Sequence, residues 1–316
     1  MRAYVAKRLL LLVPTLFGVS MVSFAIIHLI PGDLVTVLLG ITASQNEQTR
    51  EAIMRALHLD RPVVVQYAYW IGGVLRGDLG RSLIHGAPVA NEIFRAYPVT
   101  VQLTAMAMLI AVLLGVPLGV LSVMPGARAV EPVIRIGSLL FISAPAFFIG
   151  TVFIVLGARY VPGVPTLGYV PLAEAPLRSL AQMLPAASAL GAAISAILLR
   201  YTRASMLEVL QTDYVRTARA KGAGEGRVTL RHALANALIP VVAATGIQFV
   251  ALIGGAVIIE EVFALPGIGR LVVNAIHQRD YTVIQGAILF LTANAVLINL
   301  AVDLLYRVVD PRIEYG

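Results

Sequence analysis

The sequence predicts an all-α, polytopic membrane protein with six transmembrane helices. Hydrophobic residues make up 59% of the chain and charged residues only 13%, against roughly 25% charged in soluble domains. Six windows, residues 9–30, 99–124, 136–158, 179–199, 233–259 and 281–302, hold no Asp, Glu, Lys or Arg. Each is long enough to cross a bilayer, which takes about 20 helical residues for about 30 Å of hydrocarbon. Backbone groups in lipid must bond within their own segment, and a barrel would show alternating polarity, which these continuous apolar runs lack.

The first window follows Arg2, Lys7 and Arg8, like the charged start of a secretory signal. It exceeds the usual core of about 7 to 15 apolar residues, and it runs into Pro31, Gly32 and Asp33 without a small-x-small cleavage site. Residues 1–30 are therefore expected to remain as an N-terminal anchor helix. Residues 31–98 form the largest extramembrane piece, read as an extracytoplasmic loop with amphipathic helices. One is expected from Glu47 to Leu59, with Ile53 and Leu57 on its apolar side. Another segment, Val63 to Leu75, is apolar and aromatic around Trp70. Either it caps the bilayer surface, where Trp and Tyr concentrate, or it is a landing surface for an external partner, and both readings can hold together.

Residues 99–316 carry the other five spans, with a cytoplasmic loop at 200–232. Gly115 and Gly119 make a GxxxG around Pro117 in the second span, a pattern that favours close helix packing. Pro145, Pro185 and Pro240 punctuate spans three, four and five, and Pro-broken helices occur where a pathway opens. Polar groups near the spans are few. Gln248, Asn294, Glu260 and Glu261 are the candidates for lining a substrate pathway. The two glutamates read either as facing a cationic substrate at the outer mouth or as a solvated helix end; Asp303 and Arg307, at i, i+4, read as a local ion pair.

Orientation follows from the cations. With the N-terminus inside, 14 of the 24 Lys and Arg fall on the inner side, 6 in the long segment 31–98, and 4 in the short outer loops. Counting short loops only, both termini face the cytoplasm. The formal net charge of +7 then suits a face lying against anionic lipid, and no aromatic-interleaved basic groove points to nucleic acid. Zero cysteines exclude disulfides, Cys-ligated zinc, iron–sulfur clusters and thiol catalysis. The five histidines, at 28, 58, 85, 232 and 277, are scattered without metal-ligand spacing.

The inner loop holds the strongest functional signal. Asp213 is placed to cap, and Gly222 to end, a short helix over Tyr214 to Lys221. Tyr214, Val215 and Ala218 share one face, while Arg216, Thr217, Arg219 and Ala220 occupy the rest, with small residues that admit a close neighbour. Such a basic helix, held between two spans, is built to transmit a push. Gly222, Gly224 and Gly226 are no phosphate loop: no strand precedes them, and the pattern GxxxxGK[ST] occurs nowhere.

The stretch YVRTARAKG at 214–222, followed by HALANAL at 232–238, resembles the EAA loop of permease subunits of binding-protein-dependent ABC importers, in the dipeptide, oligopeptide and nickel class. The resemblance runs along nearly the whole chain, through Pro31-Gly32-Asp33, RGDLGRS at 76–82, LPGIGR at 265–270, Arg279-Asp280-Tyr281 and DPRIEYG at 310–316. Arg216 stands where many permeases have the Glu, Thr217 replaces an Ala, and His232 and Ala235 replace the later Ile and Pro, variations that look like those of the peptide and nickel class.

The resemblance implies a type I ABC importer permease fold, in which Asp213 to Gly222 couple to an ATPase. It also implies a homologous second permease subunit, two cytoplasmic ATPase subunits that bind ATP and Mg, and an extracytoplasmic substrate-binding protein. This chain would bind no cofactor and carry no catalysis, and would lie in a bacterial or archaeal inner membrane. Short peptide is the first-choice substrate, with nickel chelates or glutathione next. A stand-alone secondary transporter or channel would call for charged or broken spans at mid-membrane, and an intramembrane enzyme for HExxH, GxGD or GxSxG, none of which occurs.

Reporter fusions test the topology: those at residues 60, 170 and 272 should report outside, and those at 130, 224 and 316 inside. The reverse pattern would overturn it.

Overall fold

The computed structural model describes residues 2–29, 51, 54, 60–161 and 168–309, with backbone only for 2–9, 26–29 and 305–309. The expected helix from Glu47 to Leu59, the motifs at 31–33 and 310–316, and the Asp303–Arg307 pair lie outside the described residues or side chains. Among the described residues the only extended pairing is an isolated bridge between Arg81 and Pro88.

The helices are α1 (Arg2–Leu29), α2 (Val63–Val74), α3 (Val89–Leu121), α4 (Glu131–Ser143), α5 (Ala146–Tyr160), α6 (Pro176–Leu210), α7 (Asp213–Ala220), α8 (Leu234–Val262), α9 (Ile268–Gln278) and α10 (Tyr281–Val309). Helix α8 is entered through a short helical turn, Glu225–Arg227, and a π-helical turn, Val228–Ala233. Among the described residues, four helical stretches are long and apolar enough to cross a membrane: α3, α6, Glu225–Val262 and the first 24 residues of α10. The bent pair of α4, with its leading 3-10 turn, and α5 makes a fifth if it counts as one span.

That bend corrects the reading of 136–158 as one continuous span, because the two arms meet at 102°. Pro145 has no N–H to continue the ladder and forces the residue before it out of the helical region; Ala144 sits at φ −82°, ψ 127°. The other prolines flagged in spans, Pro117, Pro185 and Pro240, lie inside unbroken helices.

The chain forms two compact units. The first comprises residues 1–97 and 271–297. In it α2 buries no residue fully, but Tyr67 and Trp70 turn onto Phe17 and Phe24 of α1, with ring centroids 5.4 to 6.1 Å apart. Ser20 and Tyr67 share a 2.7 Å hydrogen bond. Much of the aromatic surface read either as a bilayer cap or as a landing surface is thus committed to α1, leaving Val64, Tyr69 and Leu75 outward.

In the same unit the motifs at 76–82 and 279–281 form one knot. Asp280, 2% exposed, accepts hydrogen bonds from the Ser82 hydroxyl, from Leu83 N at 3.2 Å and from Val283 N at 3.4 Å, capping α10. Gly80 has φ +84°, and a Cβ there would come within 2.8 Å of Thr282, so both backbone and space demand glycine.

The second unit comprises residues 98–270 and 298–316. Its centre is α6, mostly buried and packed against α4, α5 and α8. It also meets α3 through a seam of small residues, Ala107, Ala111, Gly115 and Gly119, repeating every four positions. A Cβ on Gly115 would lie 2.5 Å from the Ser195 carbonyl oxygen, and one on Gly119 2.6 Å from Thr202 Cβ. The GxxxG is therefore a packing element, as expected where helices associate by close contact. Gly191 of α6 answers it, with Ala107 O 2.6 Å from where its Cβ would be. Gly191→Val should force the two backbones apart, costing about 1–3 kcal/mol and lowering the thermal midpoint in detergent, whereas Gly137→Ala, which meets nothing within 4 Å, should leave it unchanged.

Candidate functional site

The inner loop folds into a clamped helix. Thr212, at φ −71° and ψ 155°, is the N-cap residue of α7, and Asp213 is its first helical residue, one position from the expected start. Its carboxylate pairs with Arg216 at 3.1 Å, favourable at a helix N-terminus. At the other end α7 stops at Ala220, one residue before the expected Lys221, with Gly222 in the expected C′ place. Gly222 has φ +80°, its N–H donates to Arg219 O at 2.9 Å, and Ala223 N donates to Ala218 O at 3.2 Å. These two bonds make a Schellman motif, which needs a left-handed residue at Gly222.

The faces of α7 divide as the sequence grouped them, except that Tyr214 is exposed. Val215 is wholly buried and Ala218 half-buried, against the π turn and the end of α6. Tyr214, Arg216, Thr217, Arg219, Ala220, Lys221 and Gly222 are exposed. The face open to a neighbour therefore carries Arg216, Thr217 and Ala220, while Ala218 belongs to the chain's own packing.

Both ends of α7 are tied down. At its start Asn236 Nδ2 donates to the Tyr214 hydroxyl at 2.8 Å, and that hydroxyl donates to His232 O at 3.4 Å. At its end Arg219 forks onto Glu225, with Nε to Oε1 at 2.7 Å and NH2 to Oε2 at 3.2 Å, and reaches Leu210 O at 3.3 Å. Bidentate pairing of this kind fixes direction as well as distance. Glu225 and Asn236 were missed in the sequence because their spacing from Arg219 and Tyr214 crosses a turn and matches no helical period. One further bond joins the spans above: Ser205 Oγ donates to Ala237 O at 2.9 Å.

The candidate pathway residues are placed as follows. Gln248 is half-buried on α8, and Glu261 is exposed, 3.8 Å from Arg270. Asn294 of α10 donates to the Tyr97 hydroxyl. Glu260 is corrected: it is wholly buried, neither a solvated helix end nor open at a mouth. Thr100 Oγ1 donates to its Oε1 at 2.6 Å and Arg270 N to its Oε2 at 3.1 Å. Ile268 N donates in turn to Thr100 Oγ1 at 2.9 Å. The carboxylate thus caps the first turn of α9 and joins it to α3. A Cβ on Gly267 would strike Glu260 at 2.2 Å, and one on Gly269 would strike the Val257 backbone at 2.5 Å before reaching Glu260 at 2.9 Å.

Apolar spans around a small-residue seam, with a clamped basic helix projecting from one end, define a transmembrane transport subunit. The chain belongs to the family described as "Binding-protein-dependent transport system inner membrane component", matched over residues 111–315, with the family's N-terminal region matched over 1–104. It is a permease subunit of a binding-protein-dependent ABC importer of the peptide and nickel class. It is 40% identical to the "Glutathione transport system permease protein GsiC" of Escherichia coli (strain K12) over 312 residues, 99% of each chain. The same holds for the protein of that name from Shigella flexneri serotype 5b (strain 8401). Among solved structures it is similar to an inward-facing MetNI methionine ABC transporter at 23% identity, TM-score 0.56, over 69% of this chain and 95% of that one, a likeness of fold.

Glu260→Ala should leave the N–H of Arg270 and the Thr100 hydroxyl without their acceptor in a buried site, costing about 2–4 kcal/mol. Thr100→Val should cost less, about 1–2 kcal/mol. Thermal aggregation followed by size-exclusion chromatography in detergent should rank wild type, Thr100→Val, then Glu260→Ala.

Proposed function

We propose that this chain forms half of the translocation pathway of an ATP-driven importer for glutathione or closely related short peptides. In this reading α7 is the helix through which it is driven. Sequence alone put short peptide first and glutathione after it. Relatives 40% identical over 99% of both chains, named for glutathione transport, move glutathione to the front. Glutathione is itself a tripeptide, so the two readings share a chemistry.

The observation that carries the coupling role is the double clamp on α7. A helix tied at one end to Asn236 and at the other to Glu225, with Arg216, Thr217 and Ala220 exposed between, moves as a unit with the base of α8. The chain carries no phosphate-binding loop, so the energy must come from a partner whose affinity for the two states differs; moving an equilibrium from 1:99 to 99:1 takes about 5.5 kcal/mol. Two cytoplasmic ATPase subunits binding ATP and Mg, a homologous second permease and an external binding protein complete the assembly. The proposal includes six spans with both termini cytoplasmic, α1 and the α4–α5 pair each counting as one. It keeps the division into an anchor at 1–30, an outer loop at 31–98 and a core at 99–316.

Two substitutions test the role. Gly222→Val places a β-branched residue at φ +80°, at a cost of about 1–2 kcal/mol, and re-aims the end of α7. Ala220→Trp fills the outward face; Ala218, half-buried against its own chain, would test folding instead. In vesicles holding the whole complex, both should lower glutathione uptake about tenfold or more and detach substrate stimulation from ATP hydrolysis, with insertion unchanged. Wild-type uptake in both would overturn the role of α7, and uptake of nickel in preference to glutathione would overturn the substrate.

A further inference from the structure

A cavity of about 330 Å³ opens between α4 and α6, at the end of α6 that leads into α7. Its charged groups are Glu131, Arg135, Arg200 and Arg203. Arg203 is already engaged, 3.0 Å from Glu131 and donating to Ser122 O at 3.0 Å. Arg135 lies at 3.9 Å from the same carboxylate with its side chain 65% exposed. Arg200 is exposed and has no ion pair among the described residues. Three guanidiniums face one carboxylate, so the cavity keeps a net charge of +2.

The remaining walls are apolar, including Leu139, Leu199 and Leu207. Of these, Leu139 and Leu207 are exposed, so the apolar wall reaches the surface beside the cations. A cationic pocket with an open apolar wall matches a ligand that is anionic at one end and hydrocarbon along the rest. A free phosphate would use only the first half of that surface.

We propose that this cavity holds the headgroup of an anionic phospholipid, with Arg135 and Arg200 on the phosphate and the acyl chains against Leu139 and Leu207. Basic pockets between membrane helices take anionic headgroups in this way. Because Arg203 links α4 to the end of α3 through Glu131 and Ser122, the lipid would brace the end of the bundle from which α7 projects. That the lipid belongs to the cytoplasmic leaflet rests on the orientation proposed above; binding itself does not.

The test uses the complete complex in nanodiscs of phosphatidylcholine with about one third phosphatidylglycerol, doped with a photoreactive phosphatidylglycerol. Both leaflets are accessible there, so a reversed topology would show only in the reporter fusions and would leave this result intact. Labelling should concentrate in peptides spanning 131–143 and 199–207. It should fall about fivefold with Arg135→Gln or Arg200→Gln, more with both, and stay unchanged with Arg128→Gln outside the cavity. Millimolar glycerol phosphate should leave it unchanged. Equal labelling of wild type and the double variant would overturn the proposal. Displacement by glycerol phosphate or inorganic phosphate would overturn it in favour of a soluble anion, and absence of label with capture of a partner subunit by a protein crosslinker at this face would make the cavity a protein interface.

Discussion

One buried carboxylate organises the second unit of this chain. A membrane helix that ends and reverses leaves N–H groups with no water to take them, and lipid offers no substitute. Between α8 and α9 the chain supplies the acceptor itself. Glu260, the penultimate region of α8, meets the first turn of α9, and Thr100 of α3 bonds to both. Three helices are thereby fixed by a single side chain, and the glycine at 267 follows from its bulk. Asp280 does the same for α10 in the first unit, using Ser82 of the preceding outer segment. The conspicuous motifs RGDLGRS, LPGIGR and RDY are in this light the parts of two capped corners.

With its ends satisfied, the bundle packs by proximity. Lipid tails are as apolar as Leu, so burying Leu between spans gains little, and contact area between backbones matters more. The seam of Ala107, Ala111, Gly115 and Gly119 against α6 meets that requirement. It leaves α6 as a central strut, rich in Ala, Gly and Ser, whose far end continues through Thr212 directly into α7. In the proposed coupling, displacement of α7 reaches α8 by Tyr214 and Asn236, and α6 reaches α8 by Ser205 and the Ala237 carbonyl.

Much of this was legible because composition is a direct readout of solvent. Charge-free windows located the long helices α3, α6, α8 and α10, and Gly222 takes the left-handed place expected of it past the end of α7. What escaped were features set by tertiary geometry. Counting charges treats 136–158 as one run, whereas Ala144, placed before Pro145, must leave the helical region and turns the chain. Glu260 looked like a solvated end because it adjoins Glu261, yet a register of one residue sends the first into the interior and leaves the second exposed. The partners of Arg219 and Tyr214 lie across a turn, beyond the reach of any i, i+4 rule.

The π-helical turn at Val228–Ala233 has a geometric effect on everything after it. A wider turn consumes an additional residue for each circuit, so it advances the helical phase by roughly 100° without adding appreciable length. The loop preceding α8 and the span itself therefore keep separate angular references. Glu225 before the turn and Asn236 after it both hold α7, and Ala237 beside Asn236 holds α6. That single surplus residue sets the rotation of the span relative to the segment before it while the hydrogen-bonded rod between them stays continuous.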